Sequence, residues 1–222
     1  MSNMGFRDRR EAGQKLGEAL LRYRDERPLV LALPRGGVPV AREVADALGA
    51  PLDVLVVRRL VLPANPEQGY GAVAEDDTVY LDHRTLDLVD VSQNELGRQM
   101  REAKEEVFRR ARLYRDGRSR LPVEGRTVVL VDDGIATGGT IRAALEALKR
   151  AGVGKVVLAA PVIASAVATA LRPLVAELVC LEDRPSLGTI SRAYGDFRLL
   201  RDSEVVSLLG AGGTATVPVV RA

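Results

Sequence analysis

The sequence predicts a three-layer α/β/α domain with a mainly parallel sheet, and three observations support this fold class. Short apolar runs rich in Val, Leu and Ile alternate along the chain with segments of helical periodicity. The apolar runs lack polar alternation, so helices are expected to cover both faces of the sheet. With 222 residues, 46% of them hydrophobic, the chain can form a full hydrophobic core. We therefore expect residues 1–222 to form a single domain.

The central elements are predicted to follow one another as strand and helix. The strands are short apolar runs that end near Gly, Pro or charged residues, at 28–33, 52–57, 127–131, 155–159 and 177–181. The helices repeat apolar residues every three or four positions, at 7–24, 38–48, 140–150 and 165–171. This alternation is the pattern of parallel β-α-β units.

Two stretches before the third strand interrupt this pattern. Residues 60–70 (LVLPANPEQGY) are rich in Pro, Asn and Gly and are predicted to be a loop. Residues 71–81 are predicted to be a hairpin of two short strands around Asp76 and Asp77. Glu75 is expected to be a turn charge, with contact to a substrate as the alternative.

A long charged helix is predicted over residues 92–115. Ser92 is its expected N-cap, and Glu95 three residues later completes a capping box. The tail at 210–222 is only weakly specified.

Composition excludes several functional classes. Lys+Arg is 32 and Asp+Glu is 30, so the net charge is 32 − 30 = +2, which argues against a dedicated nucleic-acid binder. Cys180 is the only cysteine, which excludes an internal disulfide and a thiolate zinc cluster. Residues 1–14 contain no apolar signal region, and the uncharged stretch at 156–171 is too short for a membrane span. We expect a cytoplasmic protein without membrane or nucleic-acid partners.

The most informative segment is residues 128–140, VVLVDDGIATGGT. Asp132 and Asp133 directly follow a buried strand, and small residues then lead into a helix near Gly139. Open α/β sheets bind ligands at the carboxyl ends of their strands, and free N–H groups at a helix N-terminus favour a phosphate. A P-loop NTPase is disfavoured because Thr140 and Ile141 stand where that motif needs Lys and Ser or Thr. Carboxylates beside a phosphate loop would repel the anion unless they face a neutral polyol or a metal. Paired carboxylates suit a ribose 5-phosphate, because they can accept hydrogen bonds from its vicinal hydroxyls.

This segment resembles the phosphoribosyl pyrophosphate signature of the type I phosphoribosyltransferase family. The resemblance implies that Asp132 and Asp133 contact the ribose 2′- and 3′-hydroxyls. It also implies a loop of small residues that holds the 5′-phosphate: Ala136, Thr137, Gly138, Gly139 and Thr140. The wider resemblance covers most of residues 7–209, and residues 63–75 resemble a bacterial subgroup of predicted phosphoribosyltransferases.

Other site residues follow from the same resemblance. Arg35, Gly36 and Gly37 lie in the first strand-to-helix turn, where the family has a pyrophosphate loop with a strained peptide bond. Arg58 and Arg59 end the predicted second strand, where the family usually places a basic residue near the pyrophosphate, so a catalytic role is expected; exposed arginines on a loop are the alternative. Residues 60–81 occupy the position of the family's flexible catalytic loop.

The family fold adds a small variable hood that forms the acceptor pocket. Its candidate segments here lie in residues 1–27, 83–120 and 183–200. Tyr194 is a candidate for stacking on a planar base, with core packing as the alternative.

The resemblance implies transfer of ribose 5-phosphate from phosphoribosyl pyrophosphate to a nitrogenous base or amine, with release of pyrophosphate. Mg²⁺ is expected as the cofactor, held through substrate oxygens and not by a protein metal site. Ala136 stands where enzymes for 6-oxopurines commonly have Asp, which disfavours hypoxanthine and guanine; adenine, uracil and other acceptors stay open. A role in nucleotide and nucleoside metabolism and a homodimer are expected. The alternative is a non-catalytic nucleotide-sensing regulator on the same fold.

Overall fold

The computed structural model describes residues 5–62, 65–89 and 91–210. Residues 1–4, 63, 64, 90 and 211–222 lie outside the described part, and the last of these ranges contains nearly all of the predicted tail. The seven α-helices of the described part are α1 (Arg9–Leu20), α2 (Gly37–Leu48), α3 (His83–Leu86), α4 (Gln93–Arg115), α5 (Gly139–Arg150), α6 (Ser165–Leu171) and α7 (Asp202–Gly210). The eight strands in the same part are β1 (Leu29–Ala32), β2 (Leu52–Val54), β3 (Val57–Leu62), β4 (Asn65–Ala74), β5 (Val79–Leu81), β6 (Thr127–Val131), β7 (Lys155–Ala164) and β8 (Glu177–Arg184).

The central sheet has five parallel strands in the order β2-β1-β6-β7-β8. The predicted parallel sheet is thus confirmed, and all five of its strands were predicted. Side chains alternate between its two faces. Val30 and Val129 face the core beneath α1, α2 and α7, whereas Leu31 and Leu130 face the core beneath α5 and α6. Both cores are buried, which explains why the strands carry no polar alternation.

Strand order reverses between β1 and β6. From β1 the chain moves outward to β2, and from β6 it moves outward in the other direction to β7 and β8. Helix α2 follows β1 on one face, and α5 follows β6 on the other. The loops after these two strands therefore separate and leave a crevice, which is where open α/β sheets bind ligands.

A second sheet replaces the loop predicted at residues 60–70. Strands β3, β4 and β5 pair in antiparallel order, with register shifts after Leu60 and Val61. Leu60 and Tyr70 are buried with Val73 against α4, so burial of these side chains outweighs the loop-forming composition between them. The hairpin predicted at residues 71–81 is confirmed by the β4–β5 pair.

Helix α4 matches the prediction closely. The Ser92 hydroxyl accepts a hydrogen bond from the Glu95 N–H at 3.2 Å, as expected of an N-cap. The Glu95 carboxylate bonds to Arg98 and Gln99, so it does not complete the capping box.

A buried ionic cluster joins α4 to both sheets. Arg115, at the end of α4, donates to the Asp53 carboxylate of β2 at 3.0 Å and to the Glu75 carboxylate at 2.8 Å. All three side chains are less than one-tenth exposed. Arg120 lies 3.2 Å from the same Glu75 carboxylate. Glu75 is therefore a buried structural acid and neither an exposed turn charge nor a residue open to substrate.

Candidate functional site

The two loops at the reversal of strand order lie against each other. The first loop follows β1 and contains Arg35, Gly36 and Gly37; the second follows β6 and begins with Asp132 and Asp133. A Cβ atom at Gly36 would overlap the Asp133 carboxylate, and one at Gly37 would lie 2.8 Å from the Val131 carbonyl oxygen. Only glycine fits this approach, which explains the Gly pair after β1. The Pro34–Arg35 peptide bond is cis.

The second loop ends at the N-terminus of α5. Gly138 is the N-cap residue, with φ of +77°, and it provides no side-chain cap for the first turn. A Cβ at Gly138 would also lie 2.9 Å from a Val167 methyl group, so this position requires glycine for two reasons. At Gly139 a Cβ would meet nothing within 4 Å. The start of α5 is therefore an uncapped helix end with open space beside it, which suits an anion.

The two adjacent carboxylates have different partners. The Asp132 carboxylate accepts a hydrogen bond from the Asp133 N–H at 2.9 Å, and Asp132 is partly exposed. The Asp133 carboxylate accepts a hydrogen bond from Arg9 Nε at 2.7 Å and is 9% exposed. Desolvation, and then the negative charge of Asp133, raise the pKa of Asp132 well above its ordinary value. Burial also raises the pKa of Asp133, and Arg9 opposes that rise.

A cavity of about 500 Å³ lies on the other side of Arg9, and its lining includes neither member of the acidic pair. Its wall includes Arg9 from α1, Pro39 from α2, and residues Leu200 and Glu204 near the start of α7. The cavity is lined by charges of both signs together with apolar side chains. Since Arg9 also bonds to Asp133, the cavity and the acidic pair share one side chain.

Comparison with known proteins gives the family to which this arrangement belongs. The model of the phosphoribosyl transferase domain matches residues 7–183. The chain belongs to the phosphoribosyltransferase family. This confirms the family predicted from residues 128–140.

Individual relatives agree with the family assignment. Two proteins of Mycobacterium tuberculosis, named "Putative phosphoribosyl transferase MT0597" and "Putative phosphoribosyl transferase Rv0571c", are each 40% identical over 204 residues. Those residues are 92% of this chain but 46% of each relative, so the chain spans about half the length of the curated relatives it matches. The crystal structure of TT1426 from Thermus thermophilus is 41% identical and has a TM-score of 0.77, and the match covers 93% of this chain and 98% of that one. None of these names favours the alternative of a non-catalytic regulator.

Several residues predicted for the site come together in this phosphoribosyltransferase fold. The acidic pair and the turn at residues 35–37 meet at one edge of the central sheet. The expected phosphate loop, residues 136–140, lies at the start of α5 in the same crevice. Arg35 is partly exposed and lies 3.7 Å from Asp202 of α7.

The paired arginines lie elsewhere than predicted. The second strand ends at Val54, so Arg58 and Arg59 do not end it; both are exposed residues of β3. Arg58 lies 3.9 Å from Glu106 of α4, outside the two loops of the crevice.

Tyr194 is a core residue and not an open stacking surface. It is 7% exposed and packs between Phe6 and Phe197, with ring centroids 5.7 and 5.1 Å away. Its hydroxyl donates to the Asp133 carbonyl oxygen. The structure thus agrees with the core-packing alternative, and it adds a contact that supports the second loop.

Arg9 is the site residue that the sequence analysis missed. It is one of three arginines in residues 7–10, and composition does not separate it from the others. Its position on the helix does distinguish Arg9 from the other arginines. Arg9 lies on the face of α1 that carries the buried residues Ala12, Gly13 and Leu16. A charged residue on the buried face of a helix needs a partner, and here that partner is Asp133.

In the part of the chain that the structure describes, no group of three or more His, Cys, Asp or Glu side chains could hold a metal ion. No helix of the described residues is both long and apolar enough to cross a membrane.

Proposed function

We propose that the protein transfers ribose 5-phosphate from phosphoribosyl pyrophosphate to a nitrogenous base or amine and releases pyrophosphate. The observation that carries this proposal is the meeting of two different loops at the reversal of strand order. One is a glycine turn followed by a helix, and the other joins a carboxylate pair to an uncapped helix N-terminus. A donor with phosphate groups at both ends of a ribose matches that arrangement.

The donor is placed by matching its groups to these loops. The 5′-phosphate would bind at the start of α5, where Gly138 and Gly139 leave the backbone open. The ribose hydroxyls would bind to the acidic pair, and Asp132 is the more exposed of its members. The pyrophosphate would bind at the turn formed by residues 35–37, where Arg35 supplies a positive charge.

In the proposed reaction the bond from the anomeric carbon to a pyrophosphate oxygen breaks with its electron pair on the oxygen, and a bond to the acceptor nitrogen forms. The acceptor nitrogen loses its proton to water or to the released pyrophosphate. The positive charge that develops on the ribose lies near the Asp132 carboxylate, which stabilises it electrostatically. Arg35 and the amides of its loop stabilise the departing pyrophosphate. No protein nucleophile is required, so binding and orientation by the two loops supply most of the rate enhancement.

Mg²⁺ fits this site as a partner of the donor. The Asp133 carboxylate is already paired with Arg9, and the described residues form no three-ligand cluster. We propose that the ion would be held through oxygens of the donor, as the family resemblance implies. When bound, Mg²⁺ would neutralise negative charge on the leaving group.

The acceptor is assigned to the cavity beside Arg9. This cavity shares the Arg9 side chain with the acidic pair, and its lining includes residues of α1 and of the chain after Tyr194, which belong to two of the segments expected to form a hood. Tyr194 itself would support the acidic loop from below. A homodimer and a cytoplasmic role in nucleotide metabolism stay predictions of the family resemblance.

The deciding experiment combines donor binding with an acceptor panel. We expect the protein to bind phosphoribosyl pyrophosphate in calorimetry with Mg²⁺, and to release pyrophosphate with at least one nucleobase or amine. Asp132→Asn should weaken donor binding by about 100-fold, since it removes a charge-assisted contact. Asp87→Asn, which changes an exposed acid after α3, is the matched control.

Three outcomes are distinguishable. Pyrophosphate release that depends on Asp132 supports the transferase. Donor binding without release for any acceptor would contradict catalysis and favour the regulator. An absence of donor binding to the wild-type protein would overturn the assignment of the ligand.

A further inference from the structure

The acidic pair is unequal in a way that its sequence does not show. Asp132 is partly exposed, and its carboxylate is bonded within the loop, to the Asp133 N–H. Asp133 is nearly enclosed, with its carboxylate at 2.7 Å from Arg9 Nε. The two neighbouring acids therefore differ in exposure as whole residues, and their carboxylates differ in charge compensation.

Arg9 is held in place from three sides. Its side chain is 11% exposed, and its guanidinium carbon lies 3.8 Å from the centre of the Phe197 ring. Nη1 donates to the Arg198 carbonyl oxygen at 3.0 Å while Nε donates to Asp133. An arginine can satisfy these directions at once because its guanidinium is planar and carries several donors. A stacked, doubly bonded guanidinium has little freedom to leave its partner.

Asp133 in turn contacts the opposite loop. Its carboxylate occupies the space where a Cβ of Gly36 would lie, so it packs directly on the backbone of the expected pyrophosphate loop. Its carbonyl oxygen accepts a hydrogen bond from the Tyr194 hydroxyl. Contacts therefore run without interruption from Arg9 through Asp133 to Gly36.

We infer that the acidic pair is divided in function: Asp132 contacts the donor, whereas Asp133, fixed by Arg9, is a positioning residue for the loop at residues 34–37. The inference rests on the proposed function, because it assigns that loop to the pyrophosphate of the donor. It departs from the expectation that both carboxylates accept ribose hydroxyls.

The energetics favour this division. For Asp133 to accept a ribose hydroxyl through the oxygen that faces Arg9, a neutral hydrogen bond would have to replace a charge-assisted one. Arg9 would then lose its counter-charge in a position with little access to water, which carries a large penalty. Binding through Asp132 requires neither change.

The test is a double-mutant cycle on Arg9 and Asp133, with Arg10 as the matched control. Arg10 is the next residue of α1 but is 73% exposed and pairs with Glu43 of α2. The variants are Arg9→Met, Asp133→Asn, their combination, Arg9→Lys and Arg10→Met. Urea unfolding of each establishes that it is folded under the assay conditions.

Two readouts are measured on each variant. The first is the affinity for phosphoribosyl pyrophosphate with Mg²⁺, together with KM and kcat for pyrophosphate release. The second needs no ligand: it is amide hydrogen exchange in the peptide that covers residues 34–38. Gly37 N–H and Val38 N–H are useful reporters there, since they donate to the Leu33 and Arg35 carbonyl oxygens.

We expect Arg9→Met and Asp133→Asn each to weaken donor binding by about tenfold, and the double variant to be no weaker than the poorer single variant. KM for the donor should rise by the same factor with little change in kcat. Exchange at residues 34–38 should become faster in both single variants. Arg9→Lys should recover part of the affinity, because it keeps the charge but not the fork of donors. Arg10→Met should match the wild type in donor affinity and in exchange at residues 34–38; its turnover is not used as a control, because Arg10 lines the cavity assigned to the acceptor.

Three results would overturn the inference. One is loss of donor binding in Asp133→Asn while Arg9→Met binds normally, since Asp133 would then be a direct ligand. A second is additivity of the two substitutions. A third is unchanged exchange of the loop in Arg9→Met. If the wild-type protein binds no donor, the proposed function fails, and the exchange result alone decides whether Arg9 holds the loop.

Discussion

Two buried arginine–carboxylate clusters in this protein have similar burial but different surroundings. In the first, Arg115 satisfies two carboxylates, Asp53 and Glu75, and ties α4 to both sheets. In the second, Arg9 satisfies the Asp133 carboxylate. Asp132, an acid with a raised pKa, stands beside that pair and forms no salt bridge within the described part of the chain.

The difference shows what marks a functional site in this fold. Burial and ion pairing are common to both clusters, so neither property identifies chemistry. The position of a cluster in the sheet is more informative. The Arg9 cluster lies where strand order reverses, which is where open α/β sheets bind ligands, whereas the Arg115 cluster lies beside the edge strand β2. The second difference is the incomplete charge compensation at Asp132, the acid to which the proposed function assigns the ligand.

The largest expected effect is on stability, at the Arg115 cluster. Arg115→Met leaves the buried carboxylates of Asp53 and Glu75 without their shared cation and should lower the free energy of unfolding by about 3–5 kcal/mol. Urea unfolding measures this, with the exposed Arg112→Met as the control. Donor affinity of the folded fraction should stay unchanged. A loss below about 1 kcal/mol would show that the cluster contributes no more to stability than an ordinary surface contact.

The next largest effect joins stability to binding. In Gly36→Ala the new methyl group overlaps the Asp133 carboxylate, which must move away from Arg9. We expect a loss of about 1–3 kcal/mol in unfolding free energy, as for other overpacked sites, and weaker donor binding. Gly139→Ala is the comparison, because its Cβ meets nothing within 4 Å and stability should be retained. Equal stability losses in both variants would contradict the close contact of the two loops.

A smaller effect on stability is expected at Tyr194, whose side chain contacts the backbone of the second loop. Tyr194→Phe removes the hydroxyl that donates to the Asp133 carbonyl oxygen but keeps the buried ring. The free energy of unfolding should fall by about 0.5–1.5 kcal/mol. The same change at the partly exposed Tyr80 should cost less, and thermal unfolding of the two variants checks the ranking.

The last expected effect is a change in how stability depends on pH, and it is a change of slope instead of a loss at a single pH. The folded-state pKa of Asp132 is raised above its ordinary value of 3.8, so the folded protein binds this proton more tightly than the unfolded chain does. Its contribution is therefore most favourable below the ordinary pKa of the carboxyl group and is lost as the pH rises through the raised pKa. Asp132→Asn should reduce this decline, and Asp87→Asn should retain it. Unfolding curves measured from about pH 4 to about pH 8, which starts near the ordinary carboxyl pKa, test the difference.

Much of the fold could be predicted because the spacing of apolar residues within a short segment indicates whether that segment is a strand or a helix. The five central strands are apolar runs, and Ser165–Leu171 matches the predicted helix at both ends. The antiparallel sheet could not be predicted from residues 60–70, because Pro and Gly there indicate a loop when tertiary contacts are ignored. Leu60 and Tyr70 form strands because they are buried against α4.

The candidate site likewise has parts that could be predicted from local sequence and parts that could not. The loop at residues 132–140 and the turn at residues 35–37 were predictable, since each is a continuous motif. The Arg9–Asp133 pair joins residues 124 positions apart, and no local pattern records such a contact. The burial of Tyr194 depends on Phe6 and Phe197, the first of which belongs to a distant segment.

The neighbouring positions of β1 and β6 have a consequence for the protein's response to a ligand. These strands pair inside the sheet, yet β1 ends at Ala32 and β6 begins only at Thr127. A molecule bridging the loops that follow them would cross-link the two halves of the polypeptide non-covalently. A bound ligand would then protect backbone amides from hydrogen exchange most strongly in β1 and β6, at the centre of the sheet. The added protection would be weakest in the edge strands β2 and β8.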